Sequence, residues 1–247
     1  MSANTPITTA MIMAAGHGTR MRPLTEDRSK AMVEVAGKPL VDHMLDRLEA
    51  AGIRRAVVNV HAHADQLESH VRARSGPMEI VISDERDELL ETGGGVVKAL
   101  PLLGDPPFLV CNIDAVWTEF TPVIEALMDV WDAEKMCDLM LLAPATQCLG
   151  YHGRGDFDLD GRGRVQRRTG DTADWVYAGV PVFQPKRIEN YPVEPFSRNV
   201  IWDKNIGRGR SYGLPIPGYW MHVGTPDAIP AAEAVIAADG ELEHAPR

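Results

Sequence analysis

Cysteine is scarce in this chain. The three present, Cys111, Cys137 and Cys148, stand apart with no CxxC spacing. That excludes a disulfide-stapled scaffold and fits a reducing compartment. Long apolar runs are also missing, and none approaches the roughly 20 residues of a membrane-spanning helix. The opening residues, MSANTPITT, lack the basic and apolar regions of a secretory signal. The expectation is therefore a cytoplasmic protein with no membrane partner. Positive charge is in deficit, with Lys+Arg 25 against Asp+Glu 35 and a net charge of -10. A broad surface for the phosphate backbone of DNA or RNA is excluded, so no nucleic-acid partner is expected. A local basic cluster for a small nucleotide is not excluded. The chain has no GxxxxGK loop followed by Ser or Thr. It has no GxGxxG either, since Gly16-His17-Gly18 runs on into Thr19, Arg20 and Met21. No internal repeat, heptad run or Ser/His/Asp arrangement is legible, and nothing around Cys111 marks it as a nucleophile.

What is present begins at Ala14. AAGHGTRMRPLTEDRSK, residues 14–30, follows the apolar run Ala10-Met11-Ile12-Met13. A buried strand thus delivers a loop with Gly16 and Gly18 and the basic residues His17, Arg20, Arg22 and Lys30. Glycines let the backbone turn tightly and come close to a ligand. Successive loop amides can point at phosphate oxygens. Arginine forks grip such oxygens, and lysine adds a mobile point charge. The loop reads as a polyphosphate site.

The 247 residues allow one large or two small domains, and no stretch reads as a linker. Strands are expected at 7–13, 56–60, 78–83, 108–112 and 138–143. Helices are expected at 39–51, 64–74, 92–100 and 122–133. That alternation indicates βαβ units and a mainly parallel sheet. Further on, 156–159 and 163–167 read as a hairpin around Asp160-Gly161. The stretch 175–183 reads as a strand, 200–208 as a helix, 210–214 as a short strand and 227–239 as a closing helix. Asp114 lies just past the carboxyl end of a buried strand, where ligands collect in open α/β sheets. A carboxylate there can hold Mg²⁺ bridging phosphates.

The A-A-G-x-G-T-R-M-x-P-L-T signature followed by Lys30 resembles that of the sugar-1-phosphate nucleotidyltransferases, or nucleotide-sugar pyrophosphorylases. Other stretches agree: ETGGGVVKALPLLGDPPFLVCNID over 91–114, YHGRGDFDLD over 151–160 and WMHVGTP over 220–226. Together they span most of the chain. The short length and the ETGGG and HGRGDF stretches are most similar to the branch that joins N-acetylmuramic acid 1-phosphate to UTP in peptidoglycan recycling. The resemblance implies an α/β fold: a single-domain Rossmann-like three-layer sandwich with a central, mainly parallel mixed sheet and a small hairpin extension over the sugar side. A nucleotide-binding half, 7–145, and a sugar-binding half, 146–240, make up one nucleotidyltransferase domain. The partners implied are a nucleoside triphosphate and a sugar 1-phosphate, and the protein is expected as a monomer or small homo-oligomer.

The same resemblance places residues. Arg20, Lys30 and Asp114 are expected to be catalytic. Ala14, Ala15, Gly16, Gly18, Thr19, Arg20, Glu85, Thr92, Gly93 and Gly94 are expected at the nucleotide. Asn112, His152, Arg154, Gly179 and Asn199 are expected at the sugar. Two departures stand out. In Asn112-Ile113-Asp114 the family's middle glycine has become isoleucine. In Trp220-Met221-His222-Val223-Gly224-Thr225-Pro226 the family's second metal-binding Asp has become His222. Imidazole suits Zn²⁺, Mn²⁺ or Co²⁺ better than Mg²⁺. Four arrangements remain open: Mg²⁺ held by Asp114, phosphates and water with His222 donating from behind; a softer ion on Asp114 and His222; a site without turnover that only binds; or a His222 that merely packs. Other open readings are the same chemistry on a mannose- or glucose-type 1-phosphate with GTP, UTP or dTTP, and a glycosyltransferase, which would want a second metal-binding acid that residues 112–114 do not supply.

Overall fold

The computed structural model describes residues 5–119 and 121–243. In chain order the elements are β1 (Thr9–Met13), β2 (Glu34–Val35), β3 (Lys38–Pro39), α1 (Leu40–Ala50), β4 (Arg55–Val60), α2 (Ala64–Arg72), β5 (Glu79–Asp84), α3 (Glu91–Leu103), β6 (Phe108–Asn112), β7 (Ala115–Glu119) and α4 (Val123–Val130). They continue as β8 (Asp138–Pro144), β9 (Cys148–Leu149), β10 (Phe157–Leu159), β11 (Val165–Arg167), β12 (Trp175–Phe183), α5 (Asn199–Gly207), β13 (Ser211–Pro215), β14 (Gly218–His222) and α6 (Ala228–Glu243).

The large sheet runs β11-β10-β12-β6-β1-β4-β5, with β8 on β12 and β13 on β8. The expected parallel sheet is realised over β6-β1-β4-β5. β12 then runs antiparallel to both β6 and β8, which makes the whole sheet mixed. Strand β1 is almost continuously apolar because both of its faces are covered. Met11 joins Val96, Ala99 and Ile201 on the face under α3 and α5. Ala10 and Ile12 join Val41, Leu45, Leu67 and Leu127 under α1, α2 and α4. This is the three-layer arrangement.

The hairpin forms as expected, with Phe157 opposite Arg167, but it is the edge of the large sheet and not a separate extension. Its turn is longer than Asp160-Gly161. The Asp160 carboxylate accepts from the amides of Arg162 and Arg164, and Gly163, not Gly161, takes the left-handed conformation, φ +75°.

A second, three-stranded sheet, β7-β14-β9, has no counterpart in the sequence reading. It starts one residue past Asp114 and pairs Ala115 with His222.

The buried Asp138 opens β8. Burial pushes its carboxyl up to about 7, against a lowering hydrogen bond from Asn205 Nδ2 at 2.6 Å. A folded value above the ordinary 3.8 means the folded state holds the extra proton between 3.8 and about 7. Asp138 therefore turns against folding as pH rises through that window, with no further loss above it. Asp138→Asn should remove this slope. Its urea midpoint should gain on wild type between pH 5 and pH 8; a constant difference would show that the carboxyl titrates normally.

Candidate active site

The loop after β1, the start of α3 and the end of β6 enclose a cavity of about 320 Å³. Ligand clefts of open α/β sheets form at this carboxyl end. Ala14, Ala15, Gly16, Gly18, Thr19, Arg20 and Lys30 line one side, and Thr92, Asn112 and Asp114 the other. Gly16 is exposed with open space where a side chain would stand, so a ligand can reach its backbone. Gly18 has φ +64°, and a Cβ there would stand 2.8 Å from Lys30 Cβ. Glycine is needed both for the turn and for Lys30 to pass. Arg20 is exposed on a single 3₁₀ turn, Thr19–Met21.

Lys30, Asp114 and His222 converge. Lys30 Nζ donates to Asp114 Oδ2 at 2.7 Å, and His222 Nε2 stands 3.3 Å from the same oxygen. Two features bring His222 there: the β7–β14 pairing, and the Val223 amide, which donates to the Asp114 carbonyl at 2.8 Å. Its ring stacks on Trp220, centroids 6.0 Å apart, and Trp220 Nε1 is fixed on the Ala178 carbonyl. Burial alone would raise the Asp114 carboxyl. Lys30 first, and then His222, outweigh burial and hold it well below the usual carboxylate range. Asp114 is therefore ionised at any working pH.

Among the described residues no group of three or more His, Cys, Asp or Glu stands ready for a metal ion. The protein offers one ionised carboxylate and one imidazole. That suits an ion taking most of its ligands from phosphates and water, the usual state of Mg²⁺ at phosphate sites; it does not suit a cage built of protein alone. Ile113, in place of the family's glycine, is only 5% exposed and packs into the larger core, while also forming part of the cavity wall.

Several residues lie elsewhere than expected. Glu85 is fully buried and does not line the cavity. Its Oε1 accepts from Asn59 Nδ2 at 2.7 Å and its Oε2 from the Leu90 amide at 3.1 Å. It buttresses the wall and does not face a base. Gly93 and Gly94 lie inside the first turn of α3, buried. Residues 194–196 lie so close that a Cβ on Gly93 would overlap the Phe196 ring, and one on Gly94 the Glu194 carbonyl. The Gly93 amide is taken by the Phe196 carbonyl at 2.8 Å. These glycines admit protein and leave no bare amides for a ligand.

On the sugar side, Asn112 lines the cavity, whereas His152, Arg154, Gly179 and Asn199 do not. His152 and Arg154 are exposed on a loop held against the segment that leads into β12, where the Ala173 amide donates to the Arg154 carbonyl. That loop meets the site at Gly150, which lies against the His222 carbonyl. Gly179, φ +93°, lets the bulge in β12 approach Ala115 and Asn112. Asn199 accepts from Arg167 Nη2 at 2.9 Å beside an Arg167–Asp203 ion pair, tying α5 to β11.

Asn59 and Arg198 were missed. Asn59 lines the cavity, and its Oδ1 accepts the Ala14 and Ala15 amides at 2.6 and 3.1 Å. A lone polar residue within the apolar run Ala56-Val57-Val58-Asn59-Val60 is the signal that marks it. Cys111 is buried with its thiol pushed up to about 12, so it is no nucleophile.

A glycine-rich loop, a lysine on an ionised strand-end carboxylate and a mixed α/β sheet define a nucleotide-processing transferase. Residues 9–238 match the nucleotidyl transferase family, and the chain belongs to it, among the sugar-1-phosphate nucleotidyltransferases. The N-acetylmuramate α-1-phosphate uridylyltransferase of Caulobacter vibrioides is 49% identical, over 92% of this chain and 96% of that protein. The enzyme of the same name from Neisseria meningitidis serogroup B is 31% identical over 93% and 98%. A UDP-glucose pyrophosphorylase solved with UDP-glucose shares the fold at TM-score 0.78 and 15% identity, over 94% of this chain and 99% of that one. Among the described residues no helix is long and apolar enough to cross a membrane.

Proposed function

We propose that this chain joins N-acetylmuramic acid α-1-phosphate to UTP, giving UDP-N-acetylmuramic acid and pyrophosphate. The observation that carries the chemistry is the Lys30–Asp114–His222 cluster opening on the glycine loop. The 49% identity to an enzyme so named supports the substrate. Residues 7–145 supply the nucleotide half and 146–240 the sugar half of one domain, working in the cytoplasm.

A sugar phosphate oxygen attacks the α-phosphorus of the triphosphate. The bond from that phosphorus to the bridging oxygen breaks, and pyrophosphate leaves with the electron pair. The attacking group is already anionic, so no general base is needed. Catalysis then rests on positioning and charge neutralisation. The backbone at Gly16 cradles phosphate oxygens, and Arg20 meets the triphosphate. Lys30 keeps one N–H on Asp114 and offers the others to the reacting phosphates. Asp114 would hold Mg²⁺, with His222 fixing the orientation of that carboxylate. The ion, when bound, neutralises and aligns the two phosphate groups.

Incubated with UTP, Mg²⁺ and N-acetylmuramic acid 1-phosphate, the protein should release pyrophosphate. A preference for a glucose- or mannose-type 1-phosphate with GTP or dTTP would move the substrate but keep the chemistry. Nucleotide binding without pyrophosphate release, across five triphosphates and with Mg²⁺, Mn²⁺ or Co²⁺, would leave a binding module and defeat the proposal.

A further inference from the structure

Arg198 is a buried cation, and among the described residues no carboxylate forms an ion pair with it. It is 3% exposed, and neither Nε nor Nη1 has a hydrogen-bond partner among the described residues. Its Nη2 donates to the Tyr177 hydroxyl at 3.0 Å and to Asn112 Oδ1 at 3.3 Å. The guanidinium lies over the Trp202 and Tyr177 rings, 4.8 and 5.3 Å from their centroids. These ring faces offset part of the cost of desolvating the charge, but they do not cancel it.

Two ties bind Arg198 to the cavity. Its backbone amide donates to Thr92 Oγ1 at 2.9 Å, and its side chain holds Asn112; both partners line the cavity. The second tie sets the polarity of the wall. A primary amide has one accepting oxygen and two donating N–H groups. With Oδ1 turned to Arg198, Asn112 has its Nδ2 donors left for the cleft, with the positive guanidinium behind them. Such a wall favours an anion.

We propose that Arg198, acting through Asn112, selects a sugar 1-phosphate that carries a carboxylate on its ring. The inference rests on the substrate reading above, since the lactyl ether of muramic acid supplies such a carboxylate. Arg198 is a positioning residue, and Asn112 makes the contact.

The test compares two acceptors with the full chain, UTP and Mg²⁺. One is N-acetylmuramic acid 1-phosphate; the other is N-acetylglucosamine 1-phosphate, the same sugar with a free hydroxyl in place of the lactyl ether and its carboxylate. Wild type should prefer the first in kcat/KM. Arg198→Met should cut that preference about tenfold or more, mainly through KM of the muramic acceptor, and Arg198→Lys should keep most of it. Asn112→Asp gives Arg198 a counter-ion and turns a negative group to the cleft. It should fold at least as stably as wild type and lose the preference, which decides the matter even where Arg198→Met does not fold. Equal losses for both acceptors would show a merely structural arginine, and a wild type indifferent to the carboxylate would equally overturn the inference. A wild type that uses neither acceptor defeats the substrate reading itself, a distinct result.

Discussion

Lys30→Ala should lower kcat/KM by about 100-fold or more. The ammonium has two expected duties, at the reacting phosphates and on Asp114, from which it lies 2.7 Å. Each charge-assisted contact contributes about 1.5–3 kcal/mol, and about 1.4 kcal/mol is tenfold in rate. The loss should include kcat, because a misplaced Asp114 affects the reacting groups and not only ground-state binding. Arg20→Ala removes a single contact and should cost about tenfold. Arg20 is exposed, whereas the Lys30 and Asp114 side chains are only 12% and 16% exposed. The melting temperature should therefore hold for Arg20→Ala and drop for Lys30→Ala, which leaves a carboxylate without its main partner. Normal turnover by either variant would show that the phosphates bind elsewhere.

His222→Asp should change the metal response. A second carboxylate beside Asp114 brings two negative groups to a place where an imidazole now stands 3.3 Å from one. Without a divalent ion they repel, so the metal-free variant should melt below wild type. Adding Mg²⁺ should raise its melting temperature more than it raises that of wild type, because an ion bound only by the folded state stabilises it. Turnover with Mg²⁺ relative to Mn²⁺ or Co²⁺ should rise, since oxygen ligands suit the harder ion. An unchanged melting response together with an unchanged metal preference would show that His222 packs against Trp220 and Gly224 without touching catalysis.

The parts of this molecule that are local in sequence were legible in it. β6 and β12 lie where their apolar runs place them, and Ala14 to Gly16, Gly18 to Arg20 and Lys30 line the cleft because one strand and the loop after it bring them there. Misreadings arose where distant segments meet. Gly93 and Gly94 read as a ligand surface because nothing near them shows that residues 194–196 fill the space. Glu85 sits in a run of exposed charges, Asp84-Glu85-Arg86-Asp87-Glu88, and only its partners Asn59 and Leu90 explain why it alone is buried. The small sheet was missed because β7 pairs with β14, far along the chain, and nothing local to either strand marks that pairing. Yet its pairing with β14 is what carries His222 across the chain to Asp114.

The Asn59–Glu85–Leu90 relay has a consequence for binding energetics. One buried carboxylate holds Asn59 with one oxygen and the Leu90 amide with the other, while Asn59 holds the amides of Ala14 and Ala15. The loop after β1 and the entry to α3 are thereby registered to each other through the interior, before any ligand arrives. A nucleotide entering between them need not order either segment, and the conformational entropy of doing so has already been lost in folding. Two neutral amide groups and one carboxylate, none of them expected to touch the reacting atoms, thus convert folding stability into affinity at the nucleotide end of the cleft.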